Sequence, residues 1–497
     1  MAALGLSFEK EQEQHRQLHH EAEVIVVGAG VFGCAIAYAF ARQGRSVFLL
    51  EQSLKEPDRI VGELLQPGGV AALTSLGLSN CLEDIDAIVV KGYDVIYYGQ
   101  EVVIPYPENV GISKPSSRLV GERKSRPEGR SFHHGRFIRR LREACAREPN
   151  ITIIETKVTE TISSPHSSLV LGVKSETLSP LSGMKEKDYY FGSLTVIADG
   201  YASIFRKMYS KRSPVVKSKF FALELIDVPL PAPNHGHVIL GDAAPVLLYQ
   251  IGTHETRALI DVPENLPTAS PAAGGVKGYL KNIILPSLPE ICQPSFAAAL
   301  EKGKLRSMPN SWLPPSTQRI PGMVMLGDAM NMRHPLTGGG MTVAFNDAVL
   351  LSELLSPARV PRLSDSRAVQ KAMREFHWRR KNLSSVINIL AQALYTLFAA
   401  NDRQLKALQL GCFQYFQRGG RCVDDPAGLL GGIIRQPFVL FYHFFAVAFL
   451  SIWILLGQII GGITGIWKSP YALLESVLVF WKACVVIFPF IFSEMRP

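Results

Sequence analysis

Three glycines near the start of the chain are spaced for binding a pyrophosphate. Gly28, Gly30 and Gly33 follow the β-branched run 24–27, which predicts a buried parallel strand, and precede the small, apolar stretch 34–41, which predicts a helix. Gly28 permits a tight turn, Gly30 lets the backbone approach a pyrophosphate, and Gly33 lets the helix pack closely on the strand. The motif predicts a dinucleotide site at the N-terminus of this helix. The alternative is a tight strand–helix turn without a ligand.

Acidic residues follow three of the predicted strands. Glu51 ends the strand after this helix, and its distance from the glycines suits a carboxylate that binds the two ribose hydroxyls. Asp199, followed by Gly200, and Asp328, preceded by Gly327, come directly after buried runs. Asp328 is suited to bind a ribityl or ribose hydroxyl, with helix capping as the alternative. For Asp199 the alternative is an ordinary turn.

A proline-closed, glycine-rich loop comes after Asp328. Pro335 precedes Gly338, Gly339 and Gly340, and an apolar helix pattern follows them. Backbone N–H groups without side-chain cover, at the start of a helix, suit a phosphate or the electron-rich edge of a flavin. With the acids at the strand ends, this loop indicates a flavin site. The alternative is a flexible loop.

The composition excludes several classes of function. The chain has 497 residues, enough for two or three domains, and a formal net charge of +9. The basic residues are scattered, without a basic helix that carries base-reading side chains, so nucleic acid is not an expected partner. Seven cysteines without a Cys-x-x-Cys pair argue against a disulfide framework and against a metal site, and they indicate a reducing compartment.

The order of the predicted elements gives three structured regions after an N-terminal arm. Strand patterns recur evenly between 218 and 262, which predicts a mostly antiparallel sheet in a second domain. The expected fold is α/β, with a Rossmann-like nucleotide-binding domain, a β-rich substrate domain and a C-terminal helical domain. The predicted boundaries are 1–20 for a disordered arm, 21–98, 131–213 and 318–380 for the nucleotide-binding domain, 99–130 and 214–317 for the substrate domain, and 381–497 for the helical domain.

The C-terminal region has the composition of a membrane-associated segment. No Asp, Glu, Lys or Arg occurs between 437 and 467, and this length exceeds the roughly 20 residues that span a bilayer. The stretch 471–492 is also apolar but contains Glu475 and Lys482. A spanning hairpin, helices embedded in one leaflet and a buried core helix pair are the three alternatives. Glycines in the first stretch and the internal charges of the second favour partial insertion.

The order and separation of the three fingerprints resemble a known superfamily. The glycine motif 28–33, Asp199-Gly200 and Gly327-Asp328 resemble the fingerprints of the single-component-fold flavoprotein monooxygenases. Within that superfamily the chain resembles the squalene epoxidase (squalene monooxygenase) family, in a fungal form, over nearly its whole length after the first 20 residues. The segments that carry the resemblance are 56–69, 132–137, 305–309, 326–345, 388–395, 487–489 and 493–495.

The resemblance implies a flavin cofactor and the residues that contact it. FAD would be bound in the Rossmann-like domain, and molecular oxygen would be a co-substrate. Position by position, the FAD contacts implied by the resemblance or by the motifs above are Gly28, Gly30, Val31, Phe32, Gly33, Glu51, Gln52, Arg59, Leu64, Arg136, Val158, Asp199, Asp328, Pro335, Gly339, Gly340 and Met341.

The resemblance also implies a reaction centre and an apolar substrate pocket. Tyr93, held by Gln66, would line the reaction centre and offer a hydrogen-bond donor near the oxygen that is transferred. The alternative for Tyr93 is a buried core aromatic residue. The pocket wall or entrance would be formed by residues whose alternative role is ordinary helix packing, namely Leu394, Phe398, Phe413, Tyr415, Phe416 and His443.

The function expected from the resemblance is epoxidation of squalene to (S)-2,3-oxidosqualene in ergosterol-type sterol biosynthesis, with a flavin hydroperoxide as oxygen donor. A second Gly-x-Gly-x-x-Gly after a strand is not found, so electrons from NADPH would arrive through a separate membrane-bound diflavin reductase. The C-terminal helices would bind the chain to lipid of the endoplasmic reticulum or of lipid droplets. A flavin-dependent isoprenoid reductase, an FAD-dependent hydroxylase of another substrate and a non-enzymatic flavin-binding scaffold are the alternatives.

Overall fold

A computed structural model describes residues 2–108, 126–178, 183–303, 305–461 and 469–496. The strands in these ranges are β1 (Glu21–Val27), β2 (Val47–Glu51), β3 (Leu64–Leu65), β4 (Ile88–Val90), β5 (Gly92–Tyr97), β6 (Gln100–Pro105), β7 (Gly129–Ser131), β8 (Ile151–Glu155), β9 (Lys157–Ser163), β10 (Val170–Leu178), β11 (Lys185–Ile197), β12 (Val215–Ile226), β13 (His235–Leu240), β14 (Val246–Gln250), β15 (Glu255–Pro263), β16 (Arg306–Trp312) and β17 (Met323–Met325). The helices are α1 (Ala2–His19), α2 (Val31–Ala41), α3 (Pro67–Ser75), α4 (His134–Ala146), α5 (Ile204–Tyr209), α6 (Gly275–Tyr279), α7 (Leu285–Ser287), α8 (Gln293–Lys302), α9 (Gly340–Leu354), α10 (Ser366–Arg379), α11 (Lys381–Phe398), α12 (Arg403–Gln417), α13 (Arg421–Leu430), α14 (Pro437–Ile460) and α15 (Ser469–Met495).

The first sheet brings the predicted ligand-binding residues to one edge. Its strand order is β8-β2-β1-β11-β10-β9, with β17 paired to β11. Strands β8, β2, β1, β11 and β17 are parallel, and Val27, Ile197 and Met325 lie in register at their carboxyl ends. Buried branched residues of these strands pack beneath α2 and α9. The turns that follow the strands therefore meet at one edge, where ligands of open α/β sheets bind.

The second sheet lies between two groups of helices. Its order is β16-β12-β15-β14-β13-β5-β6, and all of its pairs except β13 with β5 are antiparallel. This agrees with the predicted antiparallel sheet. One face packs against α6, α7 and α8, and the opposite face packs against residues of α11, α12 and α13.

The segment from Ile88 to Tyr97 forms two strands that belong to two different sheets. β4 joins a small sheet with β3 and β7, whereas β5, which lies before the predicted boundary at residue 98, belongs to the second sheet. The break falls at Gly92, where a Cβ atom would lie 2.2 Å from the carbonyl oxygen of Ile104. Residues 109–125 of the predicted substrate-domain segment 99–130 lie outside the described residues.

The N-terminal segment differs from the predicted disordered arm, because Ala2–His19 forms a helix. Arg16 attaches this helix to the first sheet, since its Nε donates to Thr152 Oγ1 at 2.9 Å and its Nη2 donates to the carbonyl oxygen of Pro149 at 2.7 Å. The Arg16 side chain is buried. Sequence analysis missed the helix because its anchoring partners lie more than 130 residues away along the chain.

Helices α14 and α15 are each long and apolar enough to cross a membrane. Helices α11 and α12 pass the same test only together, and they are bent by 113° at their junction. The outer face of α14 and α15 is exposed and aromatic, with Phe438 88% exposed and Trp453 73% exposed. The alternative of a buried core helix pair is therefore excluded.

Candidate active site

The turn between β1 and α2 forms a cradle that only glycine permits. Gly28 has a φ of +102°, and a Cβ atom there would lie 2.5 Å from the carbonyl oxygen of Ala198. At Gly33 a Cβ atom would lie 1.8 Å from the carbonyl oxygen of Gly28. At Gly30, in contrast, a Cβ atom would meet no protein atom within 4 Å. The space above Gly30 is therefore open for a ligand at the N-terminus of α2.

The acid at the end of β2 is fixed by the glycine turn itself. Glu51 Oε2 accepts a hydrogen bond from the backbone N–H of Ala29 at 2.7 Å and lies 3.6 Å from Nη2 of Arg142. Arg142 in turn donates through Nε to the carbonyl oxygen of Ala29 at 3.0 Å. Sequence reasoning missed Arg142 because this residue lies 113 residues from Ala29 along the chain.

The two later acids have different surroundings. Asp328 lies in the wall of an open cleft, and its Oδ2 is 3.9 Å from Nη2 of Arg59. Asp199 Oδ2 instead accepts from the backbone N–H of Ile204 at 3.2 Å, at the start of α5. Burial raises the pKa of the Asp199 carboxyl above its ordinary value. Gly200, next to Asp199, lines the cleft, whereas Asp199 itself is not among the residues of the cleft wall.

The cleft lies between the first sheet and the second sheet. The structure brings ten of the residues predicted from sequence to its wall, namely Gly30, Val31, Phe32, Arg59, Leu64, Tyr93, Asp328, Pro335, Gly340 and Met341. The other predicted FAD contacts lie outside the wall, namely Gly28, Gly33, Glu51, Gln52, Arg136, Val158, Asp199 and Gly339.

Three of the predicted FAD contacts have other neighbours in the structure. Val158 is buried in the core of the first sheet, and Arg136 Nη1 lies 3.7 Å from Asp86 Oδ2. Gly339 packs on α11, because a Cβ atom there would lie 2.4 Å from Cγ2 of Ile387. These three residues support the protein around the cleft and do not line it.

Tyr93 lies at the centre of a buried hydrogen-bond network. Gln66 Nε2 donates to the Tyr93 hydroxyl oxygen and, at 2.7 Å, to the carbonyl oxygen of Thr337. Gln66 Oε1 accepts from the Tyr106 hydroxyl at 2.6 Å. The Tyr93–Gln66 pair was expected from the resemblance, but Tyr106 and Thr337 were missed because each lies far from Gln66 in sequence.

The network determines which way the Tyr93 proton can point. The amide of Gln66 is fixed, since Tyr106 supplies the hydrogen that Oε1 accepts and Thr337 accepts one from Nε2. The Tyr93 oxygen therefore accepts from Gln66 and keeps its own hydrogen for donation. Burial raises the pKa of Tyr93 to about 12, so the phenol stays protonated near neutral pH.

Replacing Tyr106 with phenylalanine is expected to lower turnover about fivefold without changing FAD affinity, because one hydrogen bond that orients Gln66 is lost. Steady-state kinetics and a flavin titration check this expectation. Weakened FAD binding with unchanged turnover would show instead that Tyr106 supports the cofactor cleft.

A second, apolar cavity adjoins the cleft at Tyr93. Tyr93, Val238 and Leu336 line both spaces, and Thr337 lines the second. Three of the six predicted pocket residues line the second cavity as well, namely Leu394, Phe398 and Phe416. Tyr93 thus stands between a cleft with polar groups and an almost entirely apolar cavity.

The other three predicted pocket residues lie behind this wall. The Phe413 ring packs on Tyr97, with ring centroids 5.1 Å apart. The Tyr415 hydroxyl is 2.8 Å from Nδ1 of His443, whose Nε2 is 3.0 Å from Oδ2 of Asp425. The contacts of Tyr415 and His443 join α12, α13 and α14, whereas the contact of Phe413 joins α12 to β5.

A buried ion pair beside the cleft joins the second sheet to the segment that directly precedes β3. Nε of Arg257 on β15 donates to both carboxylate oxygens of Glu63, at 3.2 and 3.0 Å, and its Nη2 donates to Oε1 at 2.8 Å. The Tyr249 hydroxyl donates to Glu63 Oε2 at 3.1 Å. Nothing in the sequence around Glu63 indicated this pairing, because Arg257 is 194 residues away.

Replacing Arg257 with methionine is expected to lower the free energy of unfolding by about 3–5 kcal/mol, because Glu63 would keep a buried charge without its cation. Thermal or chemical denaturation measures the loss. The control is Arg306→Met on β16 of the same sheet, which removes an exposed ion pair with Asp58 and should cost less than about 1 kcal/mol. Equal losses in the two variants would contradict the expectation.

The residues of the cleft fit an FAD molecule. The open position at Gly30 and the helix N-terminus behind it suit a pyrophosphate, and Asp328 presents a carboxylate to the same space. The N-terminus of α9, after the positive-φ residue Gly338, lies in the wall nearby. A donor-rich end for phosphates and an acid for hydroxyls are what FAD requires.

Solved structures of flavoproteins share the fold of this chain. A flavoprotein/dehydrogenase from Cytophaga hutchinsonii aligns with a TM-score of 0.67 and 15% identity, covering 88% of this chain and all of that one. PqsL, a probable FAD-dependent monooxygenase from Pseudomonas aeruginosa, aligns with a TM-score of 0.60 and 20% identity, covering 76% of this chain and 97% of that one. A family model described as FAD dependent oxidoreductase matches residues 23–57. The chain has the α/β fold of the flavoprotein monooxygenases, with an FAD-binding domain, as the sequence predicted.

The family follows from closer relatives. The squalene epoxidase family model matches residues 191–467. Squalene epoxidase erg1 of Aspergillus fumigatus is 58% identical over 97% of this chain and 95% of its own length, and the squalene monooxygenase of Mus musculus is 42% identical over 96% of this chain and 78% of its own. The chain therefore belongs to the squalene epoxidase family, and it is an FAD-dependent enzyme.

Proposed function

We propose that this enzyme epoxidises squalene to (S)-2,3-oxidosqualene with O2 and electrons from NADPH, in ergosterol-type sterol biosynthesis. The observation that carries the proposal is the position of Tyr93 between the FAD cleft and the apolar cavity. A hydrocarbon bound in the apolar cavity would reach the FAD cleft beside the Tyr93 phenol. The curated relatives named squalene epoxidase or squalene monooxygenase support the choice of substrate.

FAD, when bound, supplies the redox chemistry that activates O2. The protein's own contribution is binding, orientation and exclusion of water. The glycine turn and the start of α2 would hold the pyrophosphate, and Asp328 would bind a hydroxyl of the ribityl or ribose group. Walls of Leu336, Val238 and Leu394 would keep water away from the reacting alkene.

Tyr93 would donate its phenolic hydrogen to the oxygen that is transferred. Gln66 fixes the phenol by donating to its oxygen, and Thr337 accepts from Gln66 and keeps that amide in place. In the structure the Tyr93 hydroxyl also lies 3.3 Å from the Thr337 carbonyl oxygen, which is a resting acceptor for the hydrogen. An alkene attacks an electrophilic oxygen directly, so the proposal assigns no nucleophilic side chain.

The electrons would come from a membrane-bound, NADPH-dependent diflavin reductase. The sequence supports this partner, since a second dinucleotide motif of the Gly-x-Gly-x-x-Gly type is not found in it. The purified chain should therefore oxidise NADPH slowly alone and rapidly with such a reductase. Rapid reduction of the flavin by NADPH without a second protein would overturn this part of the proposal.

The membrane would be that of the endoplasmic reticulum, or the surface of lipid droplets, with α14 and α15 embedded in one leaflet. Two charged residues of α15, Glu475 and Lys482, support partial insertion because each forms an ion pair with a residue at the start of α12. Lys482 Nζ lies 2.8 Å from Asp402 Oδ2, and Glu475 Oε1 lies 3.2 Å from Nη1 of Arg403. Cell fractionation and reactivity of cysteines introduced at both ends of the hairpin test the location and the depth.

The deciding experiment is incubation of the full-length protein with squalene, FAD, NADPH and a diflavin reductase, followed by mass analysis of the product. Addition of one oxygen atom, with an epoxide at the terminal double bond, is the expected result. Addition of two hydrogen atoms would identify an isoprenoid reductase. Conversion of a different lipophilic or aromatic compound, with squalene unchanged, would identify a hydroxylase, and either outcome would overturn the proposal.

A further inference from the structure

The last turn of α15 reaches a polar network behind the FAD cleft. Glu494 is buried at 3% exposure, and its Oε1 accepts a hydrogen bond from Nδ2 of Asn388 at 2.8 Å. Lys381 Nζ donates to the main-chain oxygen of Glu494. A charged residue at the end of an apolar helix is therefore buried in the protein. Its hydrogen bonds with Asn388 and Lys381 hold the end of α15 next to α11.

Asn388 transmits the position of Glu494 to an arginine in the cleft wall. Asn388 Oδ1 accepts from Nε of Arg333 at 2.7 Å. The orientation of the amide is dictated by chemistry, because a guanidinium can only donate and a carboxylate can only accept. The carboxamide of Asn388 therefore bridges the Arg333 cation and the Glu494 anion. Turning the carboxamide around would break both hydrogen bonds.

Arg333 holds together the two ends of the glycine-rich loop. Its Nη2 donates to the main-chain oxygen of Asn331 at 3.2 Å and to Asn331 Oδ1 at 2.8 Å, and its Nη1 donates to the carbonyl oxygen of Gly340 at 3.3 Å. Within the described residues no carboxylate oxygen lies within 4.0 Å of Arg333. Arg380 next to it has its own partner, since Nη2 lies 2.7 Å from Asp347 Oδ2.

We propose that Glu494 is a positioning residue for the cofactor site. Through Asn388 it orients Arg333, and Arg333 fixes the loop that carries Pro335 and Gly340 into the FAD cleft. FAD affinity and the docking of the end of α15 are then coupled. Because such coupling is reciprocal, FAD binding strengthens the attachment of the helix end.

The first test measures the dissociation constant of FAD for full-length variants in lipid nanodiscs. Glu494→Ala is expected to weaken FAD binding about tenfold, because a hydrogen bond to a charged group is lost. Asn388→Ala should have a similar effect. The double variant should bind FAD about as tightly as each single variant, because all three variants break the same connection from Glu494 to Arg333. Additive losses would overturn the proposal, as would an FAD affinity within twofold of the original in Glu494→Ala.

Glu475→Ala is the matched control. Glu475 is also a buried glutamate of α15, but it pairs with Arg403, away from the cleft. It should leave FAD affinity unchanged, and an equal loss in this variant would attribute the effect to helix docking in general and overturn the proposal. If Glu494→Ala does not fold, Glu494→Gln keeps the acceptor for Asn388 and removes the charge, and it should weaken FAD binding about threefold; unchanged affinity would then overturn the proposal.

The second test uses the reciprocal effect and does not depend on the substrate. Amide hydrogen exchange at 490–496 is expected to slow when FAD is added to the original protein and to stay unchanged on FAD addition in Asn388→Ala. Equal exchange with and without FAD in the original protein would overturn the coupling, whether or not the enzyme acts on squalene.

Discussion

A Tyr93→Phe enzyme should keep its FAD and lose about 100-fold in kcat. The variant removes one hydroxyl, and the loss of one preorganised donor at a reacting oxygen typically has this size. The ring remains, so the wall between the cleft and the apolar cavity is preserved. Product formation from squalene gives kcat, and the flavin absorbance of the purified variant gives the bound FAD.

The matched control for this variant is Tyr97→Phe on the same strand. The Tyr97 ring packs on Phe413, and Tyr97 lies outside the network of Gln66. The Tyr97→Phe variant should have a kcat within about twofold of the original enzyme. A Tyr93→Phe enzyme that turned over at the original rate would remove the donor role from Tyr93, and a variant that lost FAD would show that the hydroxyl supports the cofactor instead.

A Gly30→Ala chain should fold normally and bind FAD at least about 100-fold more weakly. A Cβ atom at Gly30 meets no protein atom within 4 Å, so the fold loses no contact. The same methyl group would occupy the space through which the backbone approaches the pyrophosphate. An unchanged unfolding temperature of the apoprotein, measured beside a flavin titration, would separate the lost affinity from a lost fold.

The control for this variant is Gly457→Ala on α14. A Cβ atom at Gly457 likewise meets nothing within 4 Å, and alanine favours a helix over glycine. The control should bind FAD as the original chain does. Full FAD affinity in Gly30→Ala would mean that the pyrophosphate does not pass over this turn. Gly33→Ala would not be informative in this comparison, because its Cβ atom would meet the carbonyl oxygen of Gly28 at 1.8 Å and disturb the turn itself.

The sequence alone determined the parts of the protein that depend on neighbouring residues. The glycine turn after β1, the acid that ends β2 and the loop before α9 follow from side-chain size and from hydrogen-bonding groups only a few residues apart. The apolar length of the C-terminal helices was evident for the same reason. The resemblance of the motifs supplied the family and the pairing of Tyr93 with Gln66, which local patterns do not contain.

Only the tertiary structure decided which of these residues meet. Tyr106 and Thr337 reach Gln66 from 40 and 271 residues away, and Glu494 reaches Asn388 from 106 residues away. Asp199 has the expected position after a strand, but one of its carboxylate oxygens accepts from the backbone N–H of Ile204 at the start of α5, because the direction of a side chain depends on the packing around it. Local sequence specifies the turn and the helix. A buried polar group, in contrast, needs a hydrogen-bond partner in place of water, and that partner can come from any part of the chain. The long-range partners of the site were therefore set by how the two sheets and the C-terminal helices pack.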